Sequence, residues 1–139
     1  MEYDALIVRT DFGDEGAWEA VLRELHPEFR VLDRDGASTE EAWTAYRDDE
    51  DLSVVFLADR HTMTSPDRAL LALNLGWEDT STLDPTYYQD LVDHPEPREL
   101  RVMPGAVHSV HVNLQLANMD FAEFADEAAT SPGGVVHPL

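Results

Sequence analysis

The sequence contains neither cysteine nor lysine. Without cysteine there are no disulfides, no thiolate metal ligands and no cysteine nucleophile. Without lysine there is no Schiff-base chemistry and no P-loop, because both need a lysine amine. Glycine-rich phosphate loops and the Gly-x-Ser-x-Gly motif of serine hydrolases are also missing. The sequence therefore gives no support to nucleophilic catalysis or to phosphate binding by these motifs.

Long apolar runs are missing as well, since no stretch approaches the roughly 20 residues that a membrane-spanning helix needs. The first residues carry no basic stretch, so we expect no signal peptide. Apolar residues make up 43% of the chain and aromatic residues 9%, which is typical of globular domains. A chain of 139 residues is long enough for one domain with its own core. These features predict a single cytoplasmic domain without a membrane segment.

Positive charge is scarce, because nine arginines face 29 acidic residues and the net charge is −20. Such a surface repels phosphates, so we expect no direct contact with nucleic acid. Three interpretations remain open: a solvated and highly soluble surface, a face that binds a basic protein, or a cluster that binds a cation. The acids concentrate in two stretches, 33–51 and 78–99.

Strand and helix patterns alternate along the chain. Apolar or alternating runs predict strands at residues 5–8, 29–32, 53–58, 69–75 and 100–103. Capping residues and helical spacing predict helices after Asp14, Ser38 and Asp120, and a further one from Val107. The run over 69–75 is short and apolar enough for a strand, but its flanking residues also fit a helix.

This alternation predicts an α/β fold. We expect a single domain over 1–129, with a mostly parallel or mixed central sheet of about five strands and helices on both faces. Residues 78–98 are predicted to form an acidic insertion. Residues 130–139, which include Pro132-Gly133-Gly134, are predicted to be a flexible tail.

Two stretches carry a family resemblance, namely Leu6-Ile7-Val8-Arg9-Thr10-Asp11-Phe12 with Trp18-Glu19, and Asn113 to Ala125. Together with the strand ending at Ala58-Asp59, the apolar run 70–75 and Arg101 to Pro104, they resemble a small family of uncharacterised domains common in actinobacteria. The resemblance covers roughly residues 5–126. It implies a shared fold without an assigned activity, and it favours a strand at 69–75. The sequence departs from the family pattern at His108 and His111, over 80–97 and after Asp126.

Asp11 and Asp59 each follow a predicted strand. Ligands of parallel sheets bind at the carboxyl ends of strands, and two carboxylates there could hold a divalent cation for phosphoryl or hydrolytic chemistry. The alternative is that both aspartates cap or brace the local turns. We treat Asp11 and Asp59 as candidate catalytic residues.

His108 and His111 lie three residues apart on a predicted helix and are therefore neighbours on its surface. This spacing suits two ligands of a transition-metal site. The fold would have to supply a third ligand, for which His61, His94 and His137 are available. The alternative is a pair of surface histidines without a metal.

The leading functional prediction is a non-enzymatic binding or regulatory domain whose acidic face engages a basic protein. Aromatic residues within the acidic stretches could serve as anchors, because interfaces favour aromatic side chains. The predicted binding residues are Trp43, Tyr46, Asp48, Asp49, Glu50, Asp51, Trp77, Tyr87 and Tyr88. The alternative function is a cation-dependent enzyme that uses Asp11 and Asp59. The sequence predicts no cofactor.

Overall fold

A computed structural model describes residues 4–25, 29–78, 82–93 and 96–138. Six strands are found among these residues: β1 (Ala5–Arg9), β2 (Phe29–Asp33), β3 (Val54–Ala58), β4 (Leu70–Asn74), β5 (Glu99–Val102) and β6 (Val135–Val136). The helices are α1 (Glu15–Glu24), α2 (Thr39–Tyr46), α3 (Arg60–Thr64), α4 (Pro85–Asp93), α5 (Val107–Gln115) and α6 (Phe121–Thr130). Short 3₁₀ turns precede α5 and β6, at Pro104–Ala106 and Pro132–Gly134.

The strands form one mixed sheet in the order β2-β1-β3-β4-β5-β6. Strand β4 is antiparallel to both of its neighbours, and the remaining pairs are parallel. Strands β1, β2, β3, β5 and β6 therefore begin at one edge of the sheet, the amino edge, and end at the opposite carboxyl edge. The predicted α/β class with a mixed central sheet and the strand predicted at 69–75 are confirmed, the strand over Leu70–Asn74.

Alternation along the strands divides the core into two layers, because successive side chains point to opposite faces of a sheet. Helices α1, α5 and α6 cover one face, where Ile7, Phe56 and Val102 meet buried helix residues such as Val21 and Phe124. Helix α2 covers the other face, over Leu6, Val8, Val55, Leu57, Leu71 and Leu73. Helices thus lie on both faces, as predicted, with more helices on the first face than on the second.

Side-chain caps fix where several helices begin. The Asp14 carboxylate accepts a hydrogen bond from the backbone N–H of Ala17 and starts α1. Full capping boxes start α2 at Ser38 and Glu41 and α6 at Asp120 and Glu123, as their spacing predicts. Each cap satisfies backbone N–H groups that have no partner within the helix.

The structure differs from the predicted order in its helices and at its carboxyl-terminal segment. The short helix α3 follows β3, where no helix was predicted, and the acidic insertion contains α4, in which Tyr88 is non-helical. The tail predicted to be flexible over 130–139 instead supplies the end of α6 and then β6, which pairs with β5 and is buried. Its two valines bury apolar surface against the sheet and α6, and this ties the segment down.

Among the described residues, no helix has the length and apolarity needed to cross a membrane.

Candidate functional site

Asp11 and Asp59 lie at neighbouring strand ends on the carboxyl edge. The backbone N–H of Asp11 donates to the carbonyl of Ala58, 3.3 Å away, so the chain segments touch. The Asp11 carboxylate accepts from the N–H of Gly13 at 2.9 Å, and the Asp59 carboxylate accepts from the N–H of Thr62 at 3.2 Å. Both aspartates thus have the local bracing role that was the alternative to catalysis.

Asp59 also forms a bidentate ion pair with Arg101 of β5. Nη1 and Nη2 of Arg101 donate to Oδ1 and Oδ2 of Asp59 at 2.8 and 2.9 Å, and both side chains are about a quarter exposed. Burial raises the pKa of Asp59, but the hydrogen bonds and charge of Arg101, together with Thr62, outweigh it and hold the pKa below its usual value. A cation at Asp59 would have to displace this guanidinium, so the geometry does not favour the predicted catalytic pair.

The two candidate metal ligands differ in burial. His111 is buried, with 1% of its surface exposed, whereas His108 is half-buried. Within 4–25, 29–78, 82–93 and 96–138, no group of three histidine or acidic side chains is arranged to hold a metal ion. Of the possible third ligands, His61 is exposed and His94 lies outside the described residues. The Nε2 atom of His137 lies within hydrogen-bonding distance of the Pro132 carbonyl. The described part of the chain thus gives the predicted metal site no third ligand.

The predicted aromatic anchors fall into two groups. Trp43 and Tyr46 belong to the core beneath α2, where the Trp43 Nε1–H donates to the Asn74 carbonyl at 3.0 Å. Their rings therefore stabilise the domain and are not offered to a partner. Tyr87 and Tyr88 are 80% and 48% exposed. Trp77 is half-buried and meets Trp43 edge to face, with ring centroids 5.9 Å apart.

Parts of the two acidic stretches meet at the amino edge of the sheet. Val54 of β3 pairs with Asn74 of β4, and Leu73 pairs with Glu99 of β5, so the segments flanking these strands lie side by side. We call their exposed carboxylates the acidic edge: Asp48, Asp49, Glu50, Asp51, Glu78, Glu96 and Glu99. The nearby guanidinium groups of Arg47 and Arg98 stack on the Trp43 ring at 4.2 and 4.5 Å, and Arg98 also pairs with Glu40.

A polar pocket of about 430 Å³ opens beside the acidic edge. We call it the His111 pocket, and it is lined by Asp4, Arg30, Asp49, Asp51, Leu52, His111 and Gln115. The Nε2–H of Gln115 donates to the backbone carbonyl of Asp51 at 2.9 Å and so joins α5 to the loop before β3. Neither ring nitrogen of His111, nor Oε1 of Gln115, has a hydrogen-bond partner among the described residues.

Burial lowers the pKa of His111, and the charge of His108 adds to this effect. Asp4 acts in the opposite direction, and Arg30 lowers the pKa further. The ring is therefore neutral at pH 7, with one nitrogen able to accept a hydrogen bond and the other able to donate one. A buried neutral imidazole without a partner is unusual, because most buried polar atoms are hydrogen-bonded.

Sequence reasoning missed four residues that shape these sites: Arg101, Arg98, Gln115 and Asp4. Arg101 and Gln115 reach partners 42 and 64 residues away, and no local pattern signals such contacts. The predicted binding residues Asp48 to Asp51 are exposed, and strand register places them beside Glu78 and Glu99, which the sequence did not indicate.

No curated protein matches this chain. A family model matches residues 4–137, which takes in the β6 segment that the sequence resemblance left out. The prediction of an uncharacterised domain family is confirmed, and the chain belongs to the family described as "Domain of unknown function (DUF6924)".

Proposed function

We propose that this protein is a non-enzymatic binding domain that engages a basic protein through the acidic edge. The observation that carries the proposal is the register of β3, β4 and β5, which gathers carboxylates from three separate segments at one edge. All seven carboxylates of the acidic edge are exposed. Two guanidinium groups adjoin them in sequence: Arg98 is paired with Glu40, and Arg47 stacks on the Trp43 ring.

The electrostatics of such an edge favour association with a cationic surface. Like charges held close together repel one another, and a basic partner relieves that repulsion while its own charges are neutralised. Complementary charge also accelerates encounter and discriminates against acidic partners, and both effects weaken as salt screens the charges. The half-buried Trp77 lies at the same edge and offers part of an aromatic ring for contact.

The alternative of a cation-dependent enzyme has less support. Asp59 is occupied by Arg101, and Asp11 accepts from the backbone of its own turn. A catalytic site needs a concave surface on which several free polar groups converge. The His111 pocket, whose lining carries several polar groups, adjoins the amino edge and lies away from both aspartates.

The proposal is tested with an oligo-arginine peptide as the basic probe, using fluorescence anisotropy at low and high salt. The edge variant carries Asp48→Asn, Asp49→Asn, Glu50→Gln and Asp51→Asn. The matched control carries Glu19→Gln, Asp33→Asn, Asp35→Asn and Asp126→Asn, which are exposed and make the same change in net charge away from the acidic edge.

We expect the edge variant to weaken binding at least about tenfold, whereas the control should stay within about threefold of the wild type, since long-range charge is largely screened. Equal losses of affinity in the two variants would mean that the peptide responds to net charge alone, and the proposal would be wrong. Absence of binding to the wild type at low salt would also overturn it.

A further inference from the structure

The His111 pocket connects the acidic edge to the interior of the domain. Asp49 and Asp51 belong both to the acidic edge and to the lining of the pocket. Helix α5 supplies the inner wall through His111 and Gln115. A side chain of a partner bound at the acidic edge therefore has a polar recess beside it.

The inner wall carries buried polar atoms that have no hydrogen-bond partner in the described part of the chain. His111 is 1% exposed, and both of its ring nitrogens are without a hydrogen-bond partner among the described residues, as is Oε1 of Gln115. A buried polar group left without a partner costs about 1–3 kcal/mol. A ligand that hydrogen-bonds to these atoms recovers that cost, so the inner wall favours a polar ligand over an apolar one.

The lining selects the charge of this ligand. Three carboxylates (Asp4, Asp49 and Asp51) face one guanidinium group, that of Arg30, so the pocket is net negative. The hydrogen-bonding groups are mainly acceptors: these carboxylates, Oε1 of Gln115 and the unprotonated nitrogen of the neutral His111 ring. A cation with several N–H donors is complementary to this set.

We propose that the His111 pocket binds a guanidinium group, carried by an arginine side chain of the basic partner. This inference rests on the proposed function. The guanidinium group has five N–H donors in a planar fork, so it can bond carboxylates and neutral acceptors at the same time. Leu52 gives its methylene stem an apolar contact. A volume of about 430 Å³ lies within the usual range of ligand sites, about 300–1,000 Å³.

Other cations fit less well. An ammonium group is a compact, strongly hydrated charge with three donors, and it leaves more of the acceptors unused. A metal ion needs ligands that converge on one point at close to 2 Å. No set of three histidine or acidic side chains within the described part of the chain does so.

The inference is tested by following the histidine ring signals in NMR spectra of the full chain. The probes are the capped tripeptide acetyl-Gly-Arg-Gly-amide and its analogues with lysine or citrulline in place of arginine. Citrulline has nearly the same shape as arginine but no charge. A His111→Asn variant assigns the His111 signal. His137 serves as the internal reference, because its ring lies beside Pro132 and outside this pocket.

We expect the arginine peptide to shift the His111 signal saturably and at least about threefold more tightly than the lysine peptide, with no saturable shift from citrulline. Asp49→Asn with Asp51→Asn should weaken the arginine peptide about tenfold, since both substitutions remove charge and keep an acceptor oxygen. The control pair Glu19→Gln with Asp126→Asn should change the affinity less than about twofold. Circular dichroism checks that each variant is folded.

Several outcomes would overturn the inference. Equal affinity for lysine and arginine would exclude recognition of a guanidinium group. An unmoved His111 signal while oligo-arginine still binds the acidic edge would mean that the pocket holds only water, and the proposed function would stand. Tighter binding of free agmatine than of the arginine peptide would assign the pocket to a small molecule. Failure of oligo-arginine to bind at all would instead defeat the proposed function.

Discussion

The ion pair between Asp59 and Arg101 allows a quantitative test of how the sheet is held together at its carboxyl edge. The pair spans 42 residues of sequence and links the end of β3 to β5, across β4. We propose a double-mutant cycle of Asp59→Asn, Arg101→Met and the double variant. Asparagine keeps an oxygen that can accept from Thr62 and cap α3, so the cycle isolates the charge pair.

The expected loss of stability on breaking the pair follows from its burial and geometry. Exposed ion pairs contribute about 0–1 kcal/mol, whereas removing one partner of a fully buried pair costs about 3–5 kcal/mol. Here the side chains are 23% and 24% exposed, and the contact is bidentate. We therefore expect Arg101→Met to lower the free energy of unfolding by about 2 kcal/mol at pH 7, and to lower the thermal midpoint by about 7 °C.

The pH dependence of the coupling energy distinguishes the charge pair from a contribution of packing, which would not change with pH. The pKa of Asp59 in the folded protein lies below its ordinary value of 3.8, so the pair stabilises the fold above that pH. This contribution is lost as the pH falls through the lower pKa of the folded state. Urea unfolding of all four proteins should thus show a coupling energy that is constant near neutral pH and shrinks below pH 3.8.

A coupling energy below about 0.5 kcal/mol at pH 7 would refute this reasoning, because it would equal that of an exposed pair. A coupling energy above about 0.5 kcal/mol that does not change with pH would also refute it. In that case the loss on substitution would come from packing of the Arg101 stem against the sheet.

Three further predictions concern the core, the β6 segment and the buried histidine. Trp43→Ala should lower the free energy of unfolding by about 3–5 kcal/mol, since a buried indole is lost, whereas the exposed Tyr87→Ala should change it by less than about 0.5 kcal/mol; urea denaturation measures both. Val136→Asp should lower the thermal midpoint in calorimetry, because β6 buries this position in the core and a carboxylate there would have to be desolvated, and an unchanged midpoint would show that β6 is not docked. From pH 7 to pH 5 the wild type should lose stability relative to His111→Gln. The pKa of His111 lies below 6.5 in the folded state, so the unfolded chain takes up the proton first as the pH falls. Urea midpoints of the two proteins that change equally with pH would contradict this.

Much of the secondary structure could be predicted from local sequence. Apolar runs such as Val54 to Leu57 predict buried strands, and the pair Ser38 and Glu41 predicts the start of a helix. Both patterns are local, because the groups involved lie within a few residues of one another. The short helix α3 was missed, since the five residues from Arg60 to Thr64 are too few to show a helical repeat of apolar residues. Strand β6 was missed because two valines are too short a pattern to distinguish from a loop.

The candidate site was less predictable. Because ligands bind at the carboxyl ends of parallel strands, the sequence pointed to Asp11 and Asp59 as candidate catalytic residues. In the structure Asp59 pairs with Arg101, and Asp11 accepts from the N–H of Gly13. Burial of His111 was also unforeseen, because helical spacing predicts that it neighbours His108 but does not tell which of the two faces the core. That its ring has no hydrogen-bond partner among the described residues becomes visible only when the surrounding elements are in place.

The sequence by itself determined the α/β class, most element boundaries, the family and the strongly acidic character, because all of these depend on composition and short-range order. Tertiary structure alone decided which charges are neutralised and which remain at the acidic edge. Arg101 reaches Asp59, Gln115 reaches Asp51, and register sets Asp48 to Asp51 beside Glu78 and Glu99. These pairings depend on strand order and register, which arise from packing of the whole chain and from no single segment of it.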